Sequence, residues 1–321
     1  MLQKYAVQDG KLILNGTAGT SRVYMYNSPD PAETEQLVRE YGLDEHTLAS
    51  SIDPNEPPRV EFEKNHTAFI IKYPKDYSSL DNYRFLVKSM GVFLFPASQL
   101  IIVVLSDSSY ILPTQRLSVF PCRTAQDILL RLLYQTIRHF EAHLTMINRA
   151  SADLEHLISR STENNYLLRM FTLAKGLVYY QNALSGNGSL IERIKAAETG
   201  PSGARVLGFT PDNLEMLEDL AIENQQFTNQ ARIDYEILGG LLDVRASFIN
   251  NNLNIMMKNM NAIVIAISVP TFFTGVGGMS EFTAVLKDYM AWYLAYPLFF
   301  GIMILLALLI YWWIQRAYGS R

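Results

Sequence analysis

The chain has 321 residues and a formal net charge of -4, with 49% of residues hydrophobic and only 18% charged. That composition excludes a disordered chain, and a mild negative charge without a basic tract excludes the electrostatic footprint of a nucleic-acid binder. The single cysteine, Cys122, excludes an intrachain disulfide and a cysteine-based zinc site.

Residues 1–16 lack the apolar core of a signal peptide, so the N-terminal part is expected in the cytosol. Asp30-Pro31 starts a helix that ends near Gly42, and residues 68–73, 91–95 and 100–105 are short runs rich in Val, Ile and Phe that read as strands. Helical periodicity follows over residues 125–160 and 166–184. Gly186-Asn187-Gly188-Ser189 reads as a turn, and residues 199–208 as a Gly/Pro/Ser loop. The N-terminal region is therefore expected to be an α/β domain.

Thr210, Pro211 and Asp212 read as N-cap, first helical residue and an acid at the positive helix end, and no proline then occurs until Pro270. One very long helix is predicted, roughly 87 Å from Asp212 to Val269, with Gly239-Gly240 as its weak point. Leu214, Leu217, Leu220, Phe227, Ile237, Leu241 and Leu242 give it an apolar face for partner helices.

Between Lys258 and Glu281 lie 22 uncharged residues, and between Asp288 and Arg316 lie 27, each long enough as helix to cross a hydrocarbon core of about 30 Å. The second span is plainly apolar, with Trp292, Tyr293, Trp312 and Trp313 at headgroup level. The first is different. Asn254, Asn261, Ser268 and Gly275 recur every seven residues, with Met257, Val264 and Thr271 three places after the first three. A seven-residue spacing drifts only about 20° per heptad, so these side chains form one line along the helix. Helix packing explains such a line, and so does a pore in which identical subunits stack the line into rings; two spans cannot enclose a path alone, so a pore requires an oligomer. Arg245 and Lys258 before the first span and Arg316 and Arg321 after the second put both termini in the cytoplasm.

No pairing of nucleophile and base points to an enzyme. His139 and His143 stand four apart on one helix, in a His-Phe-Glu-Ala-His run that departs from the zinc-protease motif, and read as an exposed polar face. Gly275-Val276-Gly277-Gly278 sits at a membrane helix end with no strand before it and is not a nucleotide loop.

Several stretches together resemble the CorA family of divalent-cation channels and transporters: Asp53-Pro54 followed by Pro58-Arg59-Val60-Glu61, Gly91-Val92-Phe93-Leu94 leading into Leu100-Ile101, Gly240-Leu241-Leu242-Asp243-Val244, and Asn254-Ile255-Met256-Met257-Lys258. The resemblance spans roughly residues 41–316. The family's signature Tyr-Gly-Met-Asn falls on Gly277-Gly278-Met279-Ser280, where Gly and Met are kept and Tyr and Asn are not. The resemblance implies an α+β membrane protein: a cytosolic α/β domain with a helical C-terminal part (1–210), a stalk helix (211–258) continuing into a pore helix (259–275), an outer loop (276–288), a second transmembrane helix (289–315) and a cytosolic tail (316–321).

It further implies an inner-membrane, funnel-shaped homopentamer surrounded by lipid, without nucleic acid and without a tightly bound cofactor. Matched without gaps, Asn254, Met257, Met260, Asn261, Val264, Ser268, Thr271 and Gly275 fall along the ion path. Gly277, Gly278, Met279 and Ser280 would form its outer mouth, with Glu281 as a ring of carboxylates that concentrates cations; Asp243, lower on the same helix, reads either as an inner acidic ring or as a solvated charge of the stalk. Family analogy has metal between the cytosolic domains lock the stalks. Three readings stay open: Mg²⁺ uptake; transport of Zn²⁺, Co²⁺ or Ni²⁺, since Ser280 has a shorter arm than asparagine; or a non-conducting metal sensor or scaffold.

Overall fold

The structure is a computed structural model that describes residues 2–8, 11–14, 22–77, 83–106, 123–160, 164–200, 206–277, 284 and 291–318. Two compact units divide the chain, Met1–Leu242 and Asp243–Arg321.

In the first unit seven strands form one sheet: β1 (Leu2–Gln8), β2 (Lys11–Leu14), β3 (Arg22–Asn27), β4 (Arg59–Phe62), β5 (Thr67–Pro74), β6 (Val87–Phe95) and β7 (Leu100–Leu105). The order is β2-β1-β3-β7-β6-β5-β4, and every neighbouring pair is antiparallel except β3 with β7. Alternate side chains leave opposite faces of a strand. Phe69, Ile71, Tyr73, Val92, Leu94, Ile101 and Val103 thus join a large core with the helices α3 (Ala125–Arg160), α4 (Asn164–Thr199) and the first part of α5 (Pro211–Gly277). Ala68, Phe93, Phe95, Ile102 and Val104 join a smaller core against α1 (Pro31–Tyr41) and α2 (Glu45–Ile52). Burial on both faces explains why the inner strands read as unbroken apolar runs.

The sequence signals at α1 work as expected. The Asp30 carboxylate accepts from Glu33 N at 2.7 Å, Asp30 N donates to Glu33 Oε2 at 3.1 Å, and Gly42 ends the helix at φ 67°. Gly91 matters for a different reason: a Cβ there would overlap the Ser51 side chain, so α2 lies directly on the backbone of β6.

The turn expected at Gly186–Ser189 is not there; these residues lie inside α4, which runs on to Thr199. The glycines serve close approach. A Cβ on Gly186 would stand 2.7 Å from Pro58 Cγ, and one on Gly188 2.9 Å from Asn224 Nδ2 on α5. Between them Asn187, 2% exposed, accepts from Lys72 N at 2.9 Å and donates to Lys72 O at 2.8 Å. The need arises from β4. Its register pairs Arg59 with Ile70, so the position opposite Lys72 is Pro57, which has no N–H to offer and lies outside the strand. The Asn187 amide stands in for the missing strand residue.

The start of α5 is pinned in the same unit. Thr210 and Asn213 exchange capping bonds, Asn213 Nδ2 donates to Asp127 Oδ1 at 2.7 Å, and the buried Glu198 carboxylate accepts from Leu207 N at 2.6 Å and Phe209 N at 3.0 Å. Gly239-Gly240 does not interrupt the helix.

Candidate functional site

In the second unit α5 is paired with α6 (Trp292–Tyr318), and both helices are long and apolar enough to cross a membrane. Pro270 lies inside α5 and Pro297 inside α6, positions a membrane helix tolerates. On α5 the buried residues of this stretch are Ala262 at 3%, Ala266 at 4% and Pro270, spaced by four, and on α6 Ile314 is buried while Ala295, Phe299, Met303, Ala307 and Ile310 are half-buried. Small side chains let two helices approach closely. Gln315 Nε2 donates to Asn259 Oδ1 at 3.3 Å and ties the last turns of α6 to α5.

The heptad line lies on the opposite side. Asn254, Met257, Met260, Asn261, Val264, Ser268, Thr271 and Gly275 are all exposed. At 100° per residue they fall between about 120° and 240° around the helix from Ala266, whereas Asn259, Ala262 and Pro270 fall within roughly 40° of it. The face that α5 turns to α6 is the small apolar one, and the line of amide, hydroxyl and thioether groups faces away.

The two hydroxyls on that line have a set direction. Ser268 Oγ donates to Val264 O at 2.7 Å and Thr271 Oγ1 donates to Ile267 O at 2.8 Å. With each hydrogen committed to its own helix, the oxygen presents only acceptor lone pairs outward. That suits water bound to a cation, which offers hydrogens. Nothing lies within 4 Å of where a Gly275 Cβ would stand.

Asp243 is exposed, and its backbone carbonyl accepts from Ser247 Oγ at 3.1 Å. Gly277 is the last residue of α5, while Gly278, Met279, Ser280 and Glu281 lie outside the described residues. Asn259 and Gln315 escaped the sequence reading. The available signal was that Asn259 is polar within the apolar stretch yet out of step with Asn254 and Asn261.

In the first unit His139 and His143 do not form an exposed face, because α3 turns them toward α4 and the chain after β5. His143 is 3% exposed with Nδ1 2.6 Å from the Tyr180 hydroxyl, His139 Nε2 is 3.3 Å from Asp76 Oδ1, and the two rings are 4.5 Å apart. Phe85 and Phe140 close around Tyr180. Among the described residues no three His, Cys, Asp or Glu side chains are gathered to hold a metal ion.

Burial pushes the His143 imidazole down to about 3, helped by its neighbour His139. Burial also lowers His139, against the pull of Asp76, and raises the Tyr180 hydroxyl well above its usual range. An unfolded histidine takes a proton near pH 6.5, so between about 6.5 and 3 the unfolded chain holds a proton at His143 that the folded chain refuses. Its contribution to stability is full above about pH 6.5 and is lost as pH falls, by at most about 1.4 kcal/mol per pH unit. Denaturant unfolding in detergent at pH 7.5 and 5.5 checks this: the native chain is expected to lose about 1 kcal/mol more than His143→Phe on acidification, and equal losses would refute it.

Residues 21–316 match the family described as CorA-like Mg²⁺ transporter protein. A curated relative, the cobalt/magnesium transport protein CorA of Methanocaldococcus jannaschii, is 22% identical over 259 residues, covering 78% of this chain and 77% of the relative. Among solved structures, the complete CorA magnesium transporter from Methanocaldococcus jannaschii superimposes with a TM-score of 0.76 at 18% identity, over 100% of this chain and 98% of that one. The full-length CmaX protein gives 0.70 at 13% identity, over 98% of this chain and 96% of that one. The ZntB cytoplasmic domain from Vibrio parahaemolyticus gives 0.58 at 10% identity, over 78% of this chain and 97% of that one.

Proposed function

The chain belongs to the CorA-like Mg²⁺ transporter family, and on that footing we propose that it admits Mg²⁺ to the cell through a homopentameric pore lined by the exposed face of α5. Membership makes it a divalent-cation transporter of the inner membrane rather than an enzyme, with two C-terminal spans and the soluble unit in the cytoplasm.

One observation carries the pore reading: the polar and small line on α5 points away from the face that α5 turns to α6. If the line served only to pack the two spans, Asn261, Ser268 and Thr271 would be the covered residues; Ala262, Ala266 and Pro270 are covered instead. Copies of α5 around an axis, with copies of α6 outside them, would stack the line into rings of oxygen acceptors. Mg²⁺ sheds water reluctantly and is most readily held through its hydration shell, which acceptor rings of amide and hydroxyl groups suit. The membrane potential favours inward movement by about 2.3 kcal/mol per charge at 100 mV, so transport needs no ATP.

Ser280 stands where the family's asparagine would meet the arriving ion, with Glu281 beside it. A ring of shorter side chains is wider and holds a hydrated ion less closely. The matched relative is named for cobalt as well as magnesium, which supports testing transition metals in parallel. The purified full chain in liposomes, with a trapped dye, is expected to pass Mg²⁺, and Ser280→Asn is expected to change its rate or its selectivity over Zn²⁺ and Co²⁺. Passage of Zn²⁺ or Co²⁺ alone would replace magnesium as the cargo. Passage of no ion by either variant in a correctly assembled oligomer would overturn the transport reading.

A further inference from the structure

The face of α5 that meets α6 is built from small side chains. Ala262 and Ala266, with Pro270, let α6 approach closely on that face, and a turn of α5 that brought Ile263 or Ile265 there would push the helices apart. Rotation matters here more than separation. A turn of about 100°, one residue, would carry Ser268 off the axis and bring Ile267 toward it, replacing an acceptor with a branched alkyl group.

A directional contact joins the same two faces beside the buried Ile314. Gln315 Nε2 reaches Asn259 Oδ1 at 3.3 Å and Tyr311 Oη at 3.2 Å, so the glutamine is steadied by its own helix while it holds the asparagine of the other. Asn259, itself exposed, lies within about 20° of Ala266 around α5, on the side of the helix that carries the covered residues. The pair sits near the charged residues Lys258 and Arg316, at the end of each span where polar side chains meet the membrane surface. The hydrogen bond is kept only for rotations of α5 that leave Asn259 on the side of α6, because donor and acceptor must stay within about 3.2 Å or a little more and close to linear.

We propose that Asn259 and Gln315 are positioning residues that set the rotation of α5, and through it which side chains meet the ion. The proposal rests on the pore reading above, and its test separates the two. Cys122→Ser provides a cysteine-free background, into which Ser268→Cys or Ile267→Cys is placed in the full chain in liposomes. With the native amide pair, a charged thiol reagent is expected to label Ser268→Cys and block uptake, and to label Ile267→Cys several-fold more slowly. Adding Gln315→Leu is expected to reduce the ratio of the two labelling rates about five-fold, the scale of one interhelical hydrogen bond, and to shift the Co²⁺ to Mg²⁺ uptake ratio. The exchanged pair, Asn259→Gln with Gln315→Asn, is expected to restore both.

A role in stability alone would lower the amount of assembled protein and leave the labelling ratio unchanged, because the ratio is taken within assembled oligomers. An unchanged ratio in Gln315→Leu, with Ser268→Cys still blocking uptake, would overturn the positioning role and leave the pore reading intact. Failure of Ser268→Cys to block uptake with the native pair would overturn the pore reading itself.

Discussion

Replacing Asn187 by leucine is expected to cost the cytoplasmic unit about 2–6 kcal/mol, a large share of the roughly 5–15 kcal/mol that holds a typical domain together. The side chains are close in volume, so the loss is not one of filling space. It comes from Lys72, whose backbone N–H and C=O have Asn187 as their partner on that side of β5. A buried backbone group left without a partner costs about 1–3 kcal/mol, and here there are two. Pro57 cannot extend β4 to take over. Denaturant unfolding of the detergent-solubilised chain measures the effect. A loss below about 1 kcal/mol would mean that Lys72 finds another partner and that the amide is dispensable.

Ser268→Phe is expected to lower divalent-cation uptake at least tenfold, the largest functional effect among single substitutions on the described part of α5. The serine presents acceptor lone pairs from the middle of the line, and in a symmetric oligomer every subunit would contribute a phenyl ring at the same level. A ring of aromatic carbon both narrows a path and expels water from it, and an ion that keeps its hydration shell is stopped by either. Leu308→Phe on the exposed side of α6 adds similar bulk and is expected to leave uptake unchanged. Equal uptake by Ser268→Phe and the native chain would remove α5's exposed face from the ion path.

The sequence made legible what depends on local chemistry. The capping residues of α1 and α5 and the apolar inner strands act over a few neighbouring residues and stand where the sequence places them, and the uncharged stretches fall in two helices long and apolar enough to cross a membrane. What escaped was set by distant partners. Gly186-Asn187-Gly188-Ser189 has the composition of a turn, and only the approach of Pro58, Lys72 and Asn224 makes helix the better use of it. The histidines of α3 look like a solvated pair until Tyr180 is placed beside them by α4. The strand β1 mixes polar and apolar residues without alternation, β2 has four residues and α2 eight, so neither period is visible there. The heptad line was legible because its period is a property of one helix; which side of it α6 covers was not, since Ala262 and Ala266 are unremarkable in any apolar span.

The parallel pairing of β3 with β7 has a consequence for how the chain becomes folded at all. Arg22 sits opposite Leu100, so the middle of the sheet is closed by two segments made far apart in time on the ribosome. β4 to β7 form a continuous meander that assembles from near neighbours, whereas the ribbon of β1 to β3 has its last strand open until β7 exists. Closing a loop of that length slows folding more than it weakens the product. The ribbon therefore spends that interval with an unpaired edge, the state in which strands join the wrong neighbour. On overproduction the expected result is aggregation through that edge, with chains that end before β7 the first to join.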